Sequence, residues 1–344
     1  MSAIAMEGLG QPVEVGQIDG ELKKLWEADD ANTNASLMNL LIYSEDPHQL
    51  VPNSEIAQSL TEEHACRAML IGMDRKNTEP SVEAWITAHC HLAHGKKSIC
   101  SEQVSFLLSG RAVGRLRNTV FAHLNSDLPL VFWWQGELSD LFEEKLYQPL
   151  DRLIFDSAAW SNPIEGFSKI EQARQDVGCH MVTQDLAWTR SFYFRLAFAG
   201  IFDDPAAQSA FPSIKKVTLK ARQDQRTTAL LTIAWMAEMA KWVRFSGLHF
   251  QSQEGLDIEV DLQLADDGPA LTELIVEGDD FLVKITREWE AKHLCQHIEV
   301  GSHRLHRMVP ADPESPRELV AEQLSRGGKN SLFLRVLPGF LELL

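Results

Sequence analysis

Long apolar runs are missing from this 344-residue chain. A helix that crosses a bilayer needs roughly 20 consecutive apolar residues, and the longest contender, Leu128 to Trp134, falls far short. A membrane is therefore not an expected partner. The stretch from Met1 to Gly20 has no basic segment followed by an apolar core, so no export signal is expected and the protein is placed in the cytoplasm. Basic charge is also scarce. Lys and Arg number 32 against 49 Asp and Glu, a net charge of −17. Such a surface repels phosphate backbones and anionic headgroups, which excludes nucleic acid as a natural partner.

Cysteine is sparse and unpatterned. Cys66, Cys90, Cys100, Cys179 and Cys295 make an odd set with no C-x-x-C pair, and in a reducing compartment they read as small buried hydrophobes. Phosphate-binding glycine loops are lacking too. Gly110 to Gly114 has no third glycine and no strand-to-helix setting, and in Gly327 to Ser331 the position of the first glycine is held by Gln323. They read as a turn and a helix cap. No nucleophile has an adjacent base in any recognisable local pattern, and no internal repeat is present.

What is there is organised around Asp127 to Ser157. The spacing predicts a buried strand at Leu130 to Trp134 carrying Trp133 and Trp134, an amphipathic helix, and a second strand at Leu153 to Phe155 bracketed by Asp151-Arg152 and Asp156-Ser157. Two strands joined by such a helix form a parallel crossover, whose polar groups collect at strand ends. Upstream, Ser36 to Ser44 reads as a buried strand, and Cys66 to Met73 as a strand apolar almost throughout, which implies burial on both faces. Val82 to Leu92 and Ser98 to Leu108 alternate and read as an antiparallel pair.

Downstream of the helix breaker Ser161-Asn162-Pro163, Ile164 to Asp176 and Asp185 to Phe202 read as helices, and Arg226 to Phe245 as a long buried one. Alternating segments from Leu256 to Val309 then suggest an antiparallel meander, followed by a helix at Ser315 to Arg326. The apolar tail Leu332 to Leu344 must dock on its own domain or on another chain. The fold class is α/β: a tail and helix at 1–35, a mixed-sheet α/β domain at 36–160, and an α+β domain at 161–344 with antiparallel strands and a long buried helix.

Two histidine groups invite a metal reading. In the first, His89 and His91 share a strand face that Cys90 cannot join. The second, His293, His297, His303 and His306, shows no carboxylate partner of the sort that ligand histidines use. No metal and no cofactor is expected. Strand-end polar groups support a second reading, a sugar-phosphate-binding enzyme using Asp127, Asp151, Arg152, Asp156 and Ser157.

Several blocks in order resemble a known family: His64-Ala65-Cys66-Arg67-Ala68, Ala88-His89-Cys90, Ile99 to Val104, Asp127-Leu128-Pro129 through Trp134, Asp151 to Ile154 with Asp156-Ser157, and Asp185 to Arg190. They are similar to the signature blocks of the OpcA family, the glucose-6-phosphate dehydrogenase assembly proteins. The resemblance implies a non-catalytic partner that binds glucose-6-phosphate dehydrogenase and supports its active oligomer. It also implies candidate contact residues: Arg67, His89, Glu102, Asp127, Trp133, Trp134, Asp151, Arg152, Asp156, Ser157, Asp185, Trp188 and Arg190. Thiol control, described for some members, is not carried over, because the C-terminal region holds only Cys295.

Overall fold

A computed structural model of the chain describes residues 7–28, 33–34, 36–93, 97–178, 180–326, 328 and 330–344. These form two compact units that alternate along the chain. The first comprises Met1–Asp156, Glu165–Gln184 and Val320–Gly328; the second comprises Ser157–Ile164, Asp185–Leu319 and Lys329–Leu344. Set beside a single division at residue 160, the helix and strand that follow Pro163 return to the first unit.

The first unit is built on a nine-stranded mixed sheet. Its strands are β1 (Gln11–Val13), β2 (Thr33–Asn34), β3 (Asn39–Ser44), β4 (Arg67–Asp74), β5 (Ser81–Ala93), β6 (Lys97–Ser109), β7 (Leu130–Gln135), β8 (Arg152–Phe155) and β9 (Val182–Asp185). All six residues of β3 are buried, as continuous apolar strands in a two-sided sheet require. The central order is β6-β4-β3-β7-β8, every neighbouring pair parallel. The chain thus starts at β3, builds outward through β4 and β6, and returns to build the other way through β7 and β8. That reversal is a topological switch point between β3 and β7.

β5 and β6 form the expected antiparallel pair, in a register that sets Cys90 opposite Cys100. The two are joined by a disulfide, which corrects the expectation that they are unpaired; Cys179 lies outside the described residues. Cys66 is free and buried, its thiol pushed up to about 12 by burial, whereas Cys295 is exposed. The amphipathic helix expected between β7 and β8 shrinks to one turn, Glu144–Tyr147. Its predecessors bond elsewhere: the Trp134 indole donates to the Glu137 carbonyl, and the Ser139 hydroxyl accepts from the Leu141 amide. Side-chain bonds of this kind compete with helical pairing.

The second unit carries an eight-stranded sheet, order β11-β12-β13-β10-β14-β15-β16-β17. The strands are β10 (Ile214–Arg222), β11 (Val243–Ser246), β12 (His249–Gln251), β13 (Asp257–Ala265), β14 (Leu271–Gly278), β15 (Phe281–Thr286), β16 (His293–Val300) and β17 (His303–Pro310). Only the β10–β13 pair is parallel; the expected meander holds for β14 to β17, while β10 is inserted between β13 and β14. The helix Arg226–Ala240 is buried continuously from Thr227 to Ala237, as its all-round apolar sequence demands.

That helix stops at Ala240 rather than running to Phe245. Lys241 takes the left-handed conformation (φ 58°) that closes a helix, and the β-favouring Val243 to Phe245 then starts β11. The predicted helix over 185–202 is likewise split, into Leu186–Thr189 and Phe192–Ala199. The apolar tail is a helix, Ser331–Leu343, docked on Arg226–Ala240 within the same unit. Phe333, Val336, Leu337, Phe340 and Leu343 recur at helical spacing and are buried. Covering five such side chains is worth on the order of 10 kcal/mol before chain entropy is subtracted.

Candidate functional site

In open α/β sheets the ligand crevice lies outside the carboxyl ends of the strands at the switch point. Here those ends are Ser44 of β3 and Gln135 of β7, which stand side by side in the sheet register. The turn leaving β3 reads Ser44-Glu45-Asp46-Pro47, with no glycine. A phosphate would need free backbone N–H groups and a close backbone approach at this position. Instead Asp46 turns its own carboxylate on the His48 amide at 3.0 Å, and the Ser44 hydroxyl accepts from the Asp46 amide at 3.1 Å.

The cation nearest this turn is already engaged. Arg75, one residue past β4, pairs with Glu45 at 3.1 Å and with Asp140 at 2.7 Å. Its hydrogen bond holds the Asp140 carboxyl below the usual carboxylate range. Tyr43 donates its hydroxyl to Glu45 at 2.8 Å, and burial, reinforced by that carboxylate, pushes its phenol far above the usual range. Tyr43 is therefore a fixed donor, not a base. Asn53, on the helix Leu50–Glu63, exchanges amide hydrogen bonds with Gln135 at 2.9 and 2.8 Å.

The switch point is thus acidic and satisfied by its own side chains. It offers neither a phosphate cradle nor a nucleophile beside a base. Sequence reasoning passed over Glu45, Asp46, Asn53, Arg75 and Asp140. The available signal was the position of Glu45-Asp46-Pro47, directly after the first buried strand, where a dinucleotide fold carries glycines.

Of the residues singled out from sequence, the structure brings Arg67 and Glu102 together: they pair at 3.1 Å, with Asp19 also 3.5 Å from the guanidinium. His89 meets the Gln103 amide oxygen at 2.9 Å, and Gln103 donates in turn to the buried Ser54 hydroxyl. Trp133 and Trp134 are both buried, the Trp134 ring tilted against Tyr43 with centroids 4.1 Å apart. Asp127 is exposed and Asp156 half-buried.

Asp151 and Arg152 act on backbone. The Asp151 carboxylate accepts from the Leu130 amide at 2.7 Å, pinning the start of β7. Arg152 donates to the Gln323 and Arg326 carbonyls, capping the end of the helix Pro316–Ser325, and burial lowers its pKa. An enzyme reading asked Arg152 to meet a substrate anion with carboxylates beside it; its Nη1 donates instead to a helix end.

Within the second unit, Asp185 is fully buried and organises a junction. Its carboxylate accepts from the Ser157 amide (3.0 Å), the Ser157 hydroxyl (2.5 Å) and the Ala187 amide (2.9 Å), the last as N-cap of Leu186–Thr189. Arg190 is buried; the Arg195 guanidinium lies 3.4 Å above the Trp188 ring and donates to the Trp188 carbonyl at 2.8 Å. Sequence reasoning also missed buried Asp312, which accepts from the Tyr193 and Phe194 amides at 2.8 and 3.1 Å. Burial pushes its carboxyl up to about 7 against those two hydrogen bonds.

The second histidine group does have carboxylate partners, contrary to the expectation: Glu299 lies 2.5 Å from His297, and Asp204 lies 2.8 Å from His303. Among the described residues, no group of three or more His, Cys, Asp or Glu is arranged to hold a metal ion, and no helix is long and apolar enough to cross a membrane.

The chain is similar to known proteins along most of its length. The family model described as the glucose-6-phosphate dehydrogenase subunit N-terminal domain matches residues 57–172, and that of the C-terminal domain matches 181–337. Over 311 residues the chain is 23% identical to the putative OxPP cycle protein OpcA of Synechocystis sp., covering 81% of this chain and 64% of that protein. Over 312 residues it is 22% identical to the putative OxPP cycle protein OpcA of Synechococcus elongatus, covering 81% and 67%. The chain therefore spans about two thirds of the length of these curated relatives.

Among solved structures, a 3-ketoreductase from Actinomadura kijaniata is similar at a TM-score of 0.49 and 10% identity, over 89% of this chain and 95% of that one. With both family models matched in order, the protein belongs to the OpcA family of glucose-6-phosphate dehydrogenase subunits.

Proposed function

We propose that this chain is a non-catalytic assembly factor and allosteric activator that binds glucose-6-phosphate dehydrogenase and supports its active oligomer in the oxidative pentose phosphate pathway. Family membership and the names of its relatives support the role. The observation that carries the non-catalytic part is the switch point. The sheet has the strand order of a dinucleotide-binding domain, but the turn after β3 presents Glu45 and Asp46, and Arg75 is neutralised by Glu45 and Asp140. A pyrophosphate would meet carboxylates there instead of amides.

An activator needs no chemistry of its own. Binding one state of the dehydrogenase more tightly by about 1 to 3 kcal/mol shifts its equilibrium roughly 5- to 150-fold. Among the family-block residues, exposed Asp127 and half-buried His89 and Asp156 are the ones we assign to partner contact, and buried Trp133, Trp134, Ser157, Asp185, Trp188 and Arg190 to the frame behind it. No nucleic acid, membrane or cofactor enters this reading.

The test is to mix the purified chain with glucose-6-phosphate dehydrogenase from the same organism and follow both co-elution and dehydrogenase kinetics. The expected result is a stable complex with altered kcat or KM. Separate elution at micromolar concentration with unchanged kinetics would overturn the proposal.

A further inference from the structure

The sheet of the second unit is covered on one face only. Its inward side chains, among them Val217, Leu219, Val276, Val283 and Ile298, are buried, with the helices Phe192–Ala199 and Arg226–Ala240 packed against the sheet. The other face is open, and the strand register fixes which residues lie on it and in what rows.

Along one row, Glu259 of β13 stands beside Lys216 of β10, then Glu277 and Leu282, and the row ends with Glu299 of β16 beside Arg304 of β17. The next row starts at Asp261 and Thr218, passes Ile275 and Lys284, and ends with His297 beside His306. Strand by strand the sign alternates: Glu259 and Asp261 on β13, Lys216 on β10, Glu277 on β14, Lys284 on β15, Glu299 on β16, and Arg304 with His306 on β17, with Ile275 and Leu282, both half-exposed, at the centre.

The signs are therefore opposite at equivalent positions on the two sides of the line between β14 and β15. Glu259, Asp261 and Lys216 form no ion pair among the described residues, whereas Glu299 and Arg304 pair with each other at 3.0 Å. We infer that this face binds a second copy of the chain, the two sheets stacking about a two-fold axis that runs along the strands between β14 and β15. That operation lays β13 over the partner copy's β17 and β10 over its β16, keeping the rows in step. Glu259 then meets Arg304, Asp261 meets His306, and Lys216 meets Glu299, each contact made twice because the interface is isologous.

The size suits the assignment. Six strands about 4.8 Å apart and eight residues long at about 3.4 Å per residue cover on the order of 800 Å² per copy, which is what a stable interface of standard size needs. The overall charge of −17 opposes association only weakly, because salt screens it beyond roughly 8 Å, whereas the matched pairs sit in contact. The inference does not rest on the dehydrogenase reading.

The test uses the full chain, Glu259→Arg and Arg304→Glu variants, and light scattering on a sizing column at about 10 μM. The wild type is expected at twice the 38.7 kDa chain mass. Either variant sets like charges against each other at both symmetry-related contacts, so each alone is expected to associate at least about 100-fold more weakly and to elute as a monomer. Mixing the two variants restores opposite charges at both contacts and is expected to restore the dimer. That recovery cannot come from a misfolded chain.

A monomeric wild type, a dimer indifferent to both substitutions, or two variants that stay apart when mixed would each overturn the inference. A monomer whose binding to the dehydrogenase is lost in both variants would overturn it too, and would assign the face to that enzyme.

Discussion

Asp185→Ala is expected to be among the most damaging single substitutions in the second unit. The carboxylate is fully buried and accepts at least three hydrogen bonds, two from Ser157 and one from the Ala187 amide. Hydrogen bonds to a charged group contribute about 1.5 to 3 kcal/mol each, and loss of an N-cap costs about 0.5 to 2 kcal/mol. The three share one acceptor and are not additive, so the expected loss is about 3 to 5 kcal/mol, most of it from two amides left buried without a partner.

Asp185→Asn keeps one acceptor oxygen and should lose about 2 kcal/mol; Ser157→Ala, which deletes only the hydroxyl bond, about 1 kcal/mol. Urea unfolding followed by circular dichroism reads the ranking. At a slope of about 2 kcal/mol per molar, the alanine variant moves the midpoint down by roughly 1.5 to 2.5 M. A loss below about 1 kcal/mol for Asp185→Ala, or equal losses for all three variants, would refute the view that this carboxylate holds the junction together.

Other expectations follow from the same geometry. Titration with NADP is expected to leave tryptophan fluorescence unchanged at millimolar nucleotide, because Glu45 and Asp46 face the position a pyrophosphate would take; saturable binding would contradict the non-catalytic reading. Asp312 has a folded-state pKa near 7, above its unfolded value, so its contribution to stability is complete below about pH 4 and is lost as pH rises through about 7. The melting temperature of Asp312→Asn should therefore fall less between pH 5 and pH 8 than that of the wild type, and parallel curves would refute the assignment. Thiol titration in denaturant should find two more thiols after reduction than before, the Cys90–Cys100 pair; an unchanged count would show that the bridge does not form. Cys90→Ser with Cys100→Ser should cost at most about 3 kcal/mol, the loop-entropy limit for a closure this short.

Much of the fold was legible because it is local. Continuous apolar character marked β4 as a doubly covered strand and β3 and β7 as buried ones, and period-two alternation paired β5 with β6. The Cys90–Cys100 bridge was within reach of the same reading, since the two positions are equidistant from the turn and the register is set by that turn. The site was less legible. Trp133 and Trp134 stood out by composition yet are buried, while Glu45, Asp46 and Arg75 look like ordinary surface charges until sheet order sets them at the switch point.

By itself, the sequence determined what depends on composition, periodicity and the order of its blocks: the α/β class, most elements, the absence of a phosphate loop, and the family. Tertiary structure alone decided what depends on partners distant along the chain. The Asp185–Ser157 junction joins residues 28 apart, Arg152 reaches a helix end 171 residues away, and the strand-by-strand alternation of charge on the second sheet emerges only when six strands are laid side by side. Local pattern constrains which face of a strand or helix is covered; it carries no information about which strand lies next to it, and the character of both surfaces follows from that choice.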